Sequence, residues 1–218
     1  MIEIRNVSKS FKKSWYALKD ISLSINKGDF IFITGPTGSG KSTLLRLIYM
    51  DIFPDVGEVA VAGFLSSTIK KFEIPFLRRR IGIIFQDFKL LQDKTVYENV
   101  AFALEVTGGG GRKMKEDVMK ALALVGLSHK RNEFPYRISG GEQQKTAIAR
   151  ALVREPFILL ADEPTGNIDP EASMDIVKIL QEINTSGTAV LMATHDVYLA
   201  RKMGGKNIHL EEGRIVEG

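Results

Sequence analysis

A glycine-rich run near the start of the chain has the residue types and spacing that bind phosphate. Gly35-Pro36-Thr37-Gly38-Ser39-Gly40-Lys41-Ser42 fits the pattern G-x-x-x-x-G-K-[ST] in full. The glycines let the backbone turn tightly enough to aim N–H groups at phosphate oxygens, and a helix beginning near Lys41 adds its positive dipole end. We expect Lys41 to contact the β- and γ-phosphates and Ser42 to offer its hydroxyl to Mg²⁺. The run predicts a nucleoside triphosphate site.

Two adjacent acids follow a strongly apolar run farther along the chain. The run Phe157–Ala161 has the length of a buried strand and leads directly into Asp162 and Glu163. An aspartate at the carboxyl end of such a strand can hold Mg²⁺, and the neighbouring glutamate can orient and deprotonate an attacking water. Two acids after a strand can also be an ordinary loop start. Beside a phosphate-binding loop, the catalytic interpretation is favoured.

A second anion site is suggested by Ser139-Gly140-Gly141-Glu142, which heads a helical run over Gln143–Arg154. The pattern S-x-x-E is a capping box, so a good helix start is the simpler interpretation. Two glycines in the first turn weaken a helix, which makes more sense if a ligand approaches the backbone closely. One chain would then carry two phosphate sites far apart in sequence. A head-to-tail pair of chains would let each site complete the other.

The elements that position these residues are predicted from periodicity. Short apolar runs typical of strands buried on both faces are Phe30–Ile33, Ile81–Phe85, Phe157–Ala161 and Ala189–Ala193. Helices are predicted over Ser42–Ile52, Pro170–Ile183 and Val197–Met203. Strand and helix alternate, which predicts an α/β core with a mainly parallel sheet.

The stretch from Thr95 to Glu155 has a different, mostly helical pattern. Apolar residues at helical spacing run from Val118 to Val125, and Gly126 is a predicted helix stop. The four glycines of Gly108–Gly111 predict a flexible loop. We therefore expect a core formed by residues 1–88 and 157–218, interrupted by a helical subdomain over residues 89–156.

Composition limits the classes of protein that fit. The 218 residues include 44% hydrophobic and 26% charged residues and no cysteine, as expected for a globular protein without disulfides or thiolate metal sites. No apolar run approaches the roughly 20 residues of a membrane-spanning helix, and the strand-like start Ile2-Glu3-Ile4-Arg5 predicts no signal peptide. The net charge of +4 raises nucleic acid or an anionic membrane as partners. Because bases and acids alternate, we interpret the densest cluster, Arg78–Arg80, as a solvated face.

The motifs together resemble those of the ABC-transporter ATPase family over essentially the whole chain. Gly35–Thr43 resembles the Walker A motif, Phe157–Asp162 resembles Walker B, and Ile138–Gln143 resembles the signature motif. Gln86 resembles the Q-loop glutamine, and Asn167–Asp169 resembles the D-loop. Glu163 stands in the position of the catalytic glutamate and His195 in that of the switch histidine. Phe11 stands where the family stacks an aromatic ring on adenine, with Trp15 and Tyr16 as rivals. Ile138 and Lys145 depart mildly from the family pattern. His129 and His209 have no such context and are expected on the surface.

The resemblance implies a P-loop NTPase (RecA-like) core with an antiparallel N-terminal β portion and a helical insertion. It also implies binding and hydrolysis of ATP with Mg²⁺, the ion being held by Ser42, Gln86 and Asp162. Glu163, His195, Gln86 and Lys41 would be catalytic. The nucleotide would be contacted by residues 35–43, the last of which is Thr43, and by Ser139, Gly140, Gly141 and Asp169.

The same resemblance implies partners and a location. Two copies would pair on binding ATP, and an integral membrane protein would attach them to the inner face of the cell membrane, without direct insertion and without nucleic acid. Residues 74–100, with the segments around Thr165–Asn167 and Met192–Asp196, resemble a branch that acts in bacterial cell division. A sister branch that releases lipoproteins or exports macrolides is the alternative. Two further alternatives are a soluble member of the family that acts on nucleic acid or ribosomes and a nucleotide-binding module that does not hydrolyse ATP.

Overall fold

The computed structural model describes residues 1–12 and 15–216, and the side chains of Lys12 and Trp15 lie outside the described part. Its strands are β1 (Ile2–Lys12), β2 (Trp15–Ile25), β3 (Phe30–Thr34), β4 (Val56–Val61), β5 (Phe64–Leu65), β6 (Ile81–Ile84), β7 (Ile158–Asp162), β8 (Ala189–Thr194), β9 (Lys206–Glu211) and β10 (Arg214–Val216). Its α-helices are α1 (Lys41–Ile48), α2 (Ile74–Arg78), α3 (Val96–Glu105), α4 (Gly111–Leu124), α5 (Gly140–Leu152), α6 (Pro170–Thr185) and α7 (Val197–Met203). Short 3₁₀ turns cover Ser128–Lys130 and Pro135–Arg137.

The strands form two sheets of different character. An antiparallel sheet has the order β2-β1-β4-β5, and a second sheet has the order β10-β9-β3-β8-β7-β6. In the second sheet, β9, β3, β8, β7 and β6 run parallel to one another, and only β10 runs antiparallel, next to β9. The predicted α/β fold, with a mainly parallel sheet and an antiparallel N-terminal portion, is confirmed.

The register of the parallel strands brings distant parts of the sequence to one edge. Thr34 pairs with Thr194, Asp162 with Ala193 and Ile84 with Ala161. The segments that follow β3, β6, β7 and β8 therefore leave the sheet side by side. These segments contain the phosphate-binding loop, Gln86, Glu163 and His195.

The parallel sheet is buried on both faces, which explains the unbroken apolar runs. Along β7, Ile158 and Leu160 pack in a core with the antiparallel sheet and α1, whereas Leu159 and Ala161 pack in a second core with α3 to α6. Burying such a leucine contributes about 1.5–3 kcal/mol. The helices α3, α4 and α5 fall within residues 89–156, and the treatment of that segment as a separate subdomain stays a prediction. Among the described residues, no helix has the length and apolar character to span a bilayer.

Two predicted boundaries were wrong for local reasons. The helix predicted to run to Ile52 ends at Ile48, because the Arg78 guanidinium binds the carbonyl oxygens of Tyr49 and Met50 at 3.0 Å and satisfies that helix end. Met50 also has a left-handed φ of 54°. The glycine run Gly108–Gly111 is not wholly a loop, since α4 begins at Gly111.

Asp55 fastens β1 to the segment before β4. Its carboxylate accepts hydrogen bonds from Lys9 Nζ at 2.7 Å and from the Ser10 backbone N–H at 2.7 Å and hydroxyl at 2.8 Å. The Lys9 hydrogen bond, followed by those from Ser10, lowers the pKa of Asp55 to about 2. The folded state therefore favours the ionised carboxylate more than the unfolded chain does.

We expect Asp55→Asn to lower the free energy of unfolding at neutral pH by about 1 kcal/mol, discounted for screening because the side chain is 40% exposed. The folded pKa is the lower one, so this contribution is present above about pH 4 and is lost as pH falls toward 2. Urea unfolding of both proteins at pH 7 and at acid pH measures the difference. A difference that stays constant with pH would contradict this account of Asp55.

Candidate functional site

The loop between β3 and α1 is constrained to a path that only glycine tolerates. Gly40 has a left-handed φ of 107°, and a Cβ atom there would lie 2.4 Å from the Ala17 carbonyl oxygen. Gly35 has φ of 147°, and a Cβ atom would lie 2.0 Å from the Leu210 carbonyl oxygen. Neighbouring strands thus hold the loop tightly, and α1 starts from Gly40 without a side-chain cap. Its first N–H groups are available to an anion.

Lys41 lies under this loop with its side chain only 5% exposed. Its Nζ donates to the carbonyl oxygens of Gly35 at 2.8 Å and Pro36 at 3.0 Å and lies 3.3 Å from Glu163 Oε1. The Ser39 hydroxyl is buried, and no hydrogen-bond partner for it exists among the described residues. A buried cation and a buried hydroxyl without a partner both suit phosphate oxygens.

Asp162, at the end of β7, contacts Ser42 at the start of α1. Ser42 Oγ donates to Asp162 Oδ1 at 2.9 Å. Burial raises the pKa of Asp162, the charge of Glu163 raises it further, and Ser42 and Lys41 oppose the shift. A half-buried carboxylate beside a hydroxyl is a hard oxygen pair that a divalent cation would stabilise, which fits Mg²⁺ completed by phosphate and water oxygens. Among the described residues no group of three or more acids, histidines or cysteines could hold a metal alone.

Glu163 is held from two sides in a strained backbone conformation. Its φ is 50°, in the left-handed region, and its carboxylate oxygens face Lys41 on one side and His195 on the other. His195 Nδ1 lies 2.7 Å from Glu163 Oε2, and the His195 backbone N–H donates to the same oxygen at 3.2 Å. Such outliers persist where the surrounding structure enforces them, often at functional sites.

These side chains line one open cavity of about 320 Å³. Its lining residues are Thr37, Gly38, Gly40, Lys41, Ser42, Thr43, Gln86, Glu163 and His195. The phosphate-binding run, the glutamine, the glutamate and the histidine singled out from the sequence therefore come together in space, with Asp162 bonded to Ser42. Their individual chemical roles stay predictions.

The Ser139–Gly141 turn is built as the capping box requires. Ser139 Oγ accepts from the Glu142 N–H at 3.2 Å, and Glu142 Oε2 accepts from the Ser139 N–H at 2.9 Å. The latter bond is the main reason that the pKa of Glu142 is lowered. Among the described residues, none of this turn lines the cavity around Lys41. The turn instead lies beside the segment Asn167–Ile168.

The two glycines of this turn have different surroundings. A Cβ atom at Gly141 would lie 2.9 Å from the Ala172 Cβ on α6, whereas one at Gly140 would be 3.4 Å from its nearest neighbour, Ile168. Gly141 is therefore required by the close packing of α5 on α6. The absence of a side chain at Gly140, which is half-buried, has no such packing reason.

We expect Gly141→Ala to be less stable than Gly140→Ala by about 1–3 kcal/mol, because only the first substitution overpacks the helix contact. Both changes gain similar helix propensity, so the difference between them isolates the contact. Urea unfolding measures both variants. Ala172→Gly combined with Gly141→Ala should recover part of the loss, and equal stability of the two alanine variants would contradict the packing argument.

Some predicted nucleotide contacts lie outside this cavity. Asp169 caps α6 by accepting from the Ala172 N–H at 2.9 Å. Phe11, on β1, is 48% exposed with Lys9 Nζ 6.0 Å from its ring centre. Tyr16 lines a neighbouring cavity of about 490 Å³ together with Pro36–Ser39. The choice between Phe11 and Tyr16 as the ring that stacks on adenine stays open, and the Trp15 side chain lies outside the described part.

The structure also gives contacts to two residues that were not predicted from the sequence as site residues, Asn167 of the D-loop and Arg150. Asn167 Nδ2 donates to the Gln86 backbone oxygen at 3.1 Å, which ties the segment after β7 to the segment after β6. Arg150, on α5, donates to the carbonyl oxygens of Lys89 at 2.6 Å and Phe88 at 2.8 Å. Phe88 and Lys89 both have left-handed φ angles, 58° and 50°. Arg150 thus holds a strained segment immediately after Gln86.

One sequence-based interpretation needs correction. His209 was expected on the surface, but it is half-buried on β9 and its Nδ1 lies 3.1 Å from Thr34 Oγ1. Its role is to join β9 to β3. His129 is exposed, as expected.

Comparison with known proteins agrees with this geometry. A family described as ABC transporter matches residues 18–166. The chain is 49% identical over 216 residues to the cell division ATP-binding protein FtsE of Streptococcus pneumoniae serotype 2, covering 99% of this chain and 94% of that protein. It is 44% identical to FtsE of Escherichia coli K12, covering 100% and 98%. A dimeric ATP-binding cassette solved in a post-hydrolysis state with ADP and Pi has a TM-score of 0.89 at 35% identity, covering 100% of this chain and 97% of that one.

Proposed function

Because this chain belongs to the ABC transporter family, we propose that two copies of it enclose two ATP molecules and drive an integral membrane partner in bacterial cell division. The chain is an ATP hydrolase of that family. The observation that supports the proposal most strongly is the meeting of Lys41, Ser42 and Glu163 in one cavity, with Asp162 hydrogen-bonded to Ser42. Residues that bind phosphate and residues that activate water act on the same triphosphate.

Phosphate binding falls to the loop and to Lys41. The Lys41 ammonium exchanges its bonds to the Gly35 and Pro36 carbonyl oxygens for bonds to the β- and γ-phosphates. The buried Ser39 hydroxyl and the free N–H groups at the start of α1 add donors. Ser42, Asp162 and the Gln86 side chain would hold Mg²⁺, which supplies charge neutralisation on the phosphate oxygens.

Water activation falls to Glu163, with His195 as its support. Glu163 accepts a proton from the water that attacks the γ-phosphorus, in line with the departing ADP oxygen. His195 Nδ1 orients that carboxylate through the 2.7 Å contact. We assign its other ring nitrogen to contact with the γ-phosphate. Once phosphate oxygens bind the Lys41 ammonium, that ammonium no longer pairs with the Glu163 carboxylate.

The second copy supplies the remaining contacts. The Ser139–Gly141 turn carries an exposed serine at the start of α5, yet none of its described residues lines the cavity of its own chain. In a head-to-tail pair, this turn and Asp169 of each copy reach the γ-phosphate bound by the other. The homologous cassette was solved as a dimer with ADP and Pi, which supports the arrangement.

Gln86 and Arg150 provide a route from the nucleotide to the membrane partner. Gln86 lines the nucleotide cavity, and the segment after it is held by Arg150 of α5. The helix α5 begins at the Ser139–Gly141 turn. A shift of α5 on closure would therefore move the segment from Phe88 onward. We assign this segment to contact with the partner, a membrane protein of the FtsX kind, which would signal to peptidoglycan hydrolases. The chain would be cytoplasmic and peripheral on the inner face of the membrane.

Co-expression tests this assignment. The chain should be recovered in the membrane fraction when an FtsX-like protein is produced with it and should leave that fraction when the partner is omitted. Arg150→Ala should weaken the association and Arg150→Lys should not restore it, because one ammonium cannot replace the two-pronged contact to Phe88 and Lys89. Equal membrane association with and without the partner would contradict the proposal.

A further inference from the structure

The segment between β5 and β6 carries the same net charge as the whole chain. Its charged residues, which we call the basic segment, fall within residues 70–80: Lys70, Lys71, Glu73, Arg78, Arg79 and Arg80. Five cations against one carboxylate leave +4, which equals the formal net charge of the full sequence. The excess of positive over negative charge is therefore matched by this one short stretch, and the rest of the sequence carries no formal net charge.

Two phenylalanine rings of the same segment are exposed. Phe72 is 67% and Phe76 is 54% exposed. Each ring has a cation near it, Lys70 Nζ at 5.8 Å from the Phe72 centre and the Arg79 guanidinium at 5.2 Å from the Phe76 centre. Single exposed apolar residues are common, but two aromatic rings each paired with a cation form a surface of defined chemistry.

The core holds this surface in place. Leu77 is fully buried, Ile74 packs against the core, and Arg78 is bound to the carbonyl oxygens at the end of α1. The inward side of α2 is therefore occupied by contacts with the core, and Phe72 and Phe76 lie on the outer side. Ordering costs for a ligand are low because the backbone is already fixed.

Among the described residues, only Arg78 of the five cations in the basic segment lies within ion-pair distance of a carboxylate, that of Asp51 at 3.6 Å. Arg79 lies near Arg154, whose pKa is lowered first by burial and then by the Arg79 charge. Arg80 is placed over the Phe157 ring, with its guanidinium 5.6 Å from the ring centre. Glu73 uses a carboxylate oxygen to accept the Lys70 N–H. The arrangement therefore favours an anionic ligand that spans several cations.

We propose that the basic segment binds the anionic phospholipid surface of a membrane. Lys70, Lys71 and Arg79 contact lipid phosphates, and the rings of Phe72 and Phe76 enter the headgroup region without spanning the bilayer. Clusters of lysine and arginine next to exposed aromatic rings are the chemistry that such a surface attracts. This contact is separate from the protein partner proposed above. It would orient the ATPase at the membrane face.

Sedimentation with lipid vesicles tests the proposal on the purified full chain without any partner. The parent should bind vesicles of phosphatidylglycerol mixed with phosphatidylcholine and should not bind phosphatidylcholine alone. Phe76→Ser with Arg79→Gln should lower binding to the anionic vesicles about tenfold, since each cation near such a surface contributes about fivefold and the lost ring adds to that. Lys70→Gln with Phe72→Ser should behave alike, and binding of the parent should weaken as salt is raised.

The chain offers a matched control on α7. Tyr198 is 73% exposed with Lys202 Nζ 5.9 Å from its ring centre, so Tyr198→Ser with Lys202→Gln also removes one ring and one cation. This variant should bind anionic vesicles like the parent. The proposal would be overturned if the control variant lost as much binding to anionic vesicles as the basic-segment variants, or if the parent failed to bind these vesicles. If the parent ignores vesicles and the basic-segment variants instead lose an FtsX-like partner, the segment contacts protein rather than lipid.

Discussion

Replacing Glu163 with glutamine should reduce ATP hydrolysis about 100-fold or more while leaving ATP binding intact. Glutamine has nearly the same shape and can still accept a hydrogen bond from His195, but it cannot take a proton from water. It also removes the negative charge 3.3 Å from Lys41, which otherwise competes with phosphate for that ammonium. ATP should therefore stay bound and hold two copies together.

Steady-state phosphate release and sizing chromatography with ATP measure the two parts of this prediction. Glu182→Gln, an exposed position on α6, is the matched control and should hydrolyse ATP like the parent. Hydrolysis at the parent rate by the Glu163→Gln variant would remove Glu163 from the role of base. Loss of ATP binding would show that its contact with Lys41 is mainly structural.

Replacing Lys41 with alanine should weaken ATP binding about 100-fold, because several charge-assisted hydrogen bonds to phosphate are lost at a nearly fully buried position. The change also removes the bonds from Nζ to the Gly35 and Pro36 carbonyl oxygens, so the loop loses part of its support. Titration with a fluorescent ATP analogue measures the effect. Lys178→Ala, which removes an exposed cation from α6, should bind the nucleotide like the parent. Unchanged affinity in the Lys41 variant would contradict the phosphate-binding role.

The convergence of the site residues could be predicted from the sequence because it depends on the strands running parallel in one sheet. Lys41 and Asp162 each follow a buried apolar strand, and the carboxyl ends of parallel strands meet at one edge. Local spacing was enough for the glycine loop and the capping box at Ser139, since both are set by neighbouring residues.

Other features depend on contacts between distant residues, which periodicity does not reveal. The end of α1 at Ile48 is set by Arg78, 28 residues beyond Met50. Arg150 has the pattern of an ordinary polar helix residue, and its partner Phe88 lies 62 positions earlier. The packing reason for Gly141 is a single alanine on α6.

Cross-linking between copies tests the shared site most directly, and a chain without cysteine allows it cleanly. Thr37→Cys and Arg137→Cys, both at exposed positions, mark the phosphate-binding loop and the approach to the Ser139 turn. In the Glu163→Gln background, a short bis-maleimide should join a mixture of the two variants when ATP is present and only weakly without it. Thr37→Cys alone should give no cross-linked product. Efficient Thr37-to-Thr37 cross-linking, or cross-linking of the mixture that ignores ATP, would contradict a head-to-tail pair around shared nucleotides.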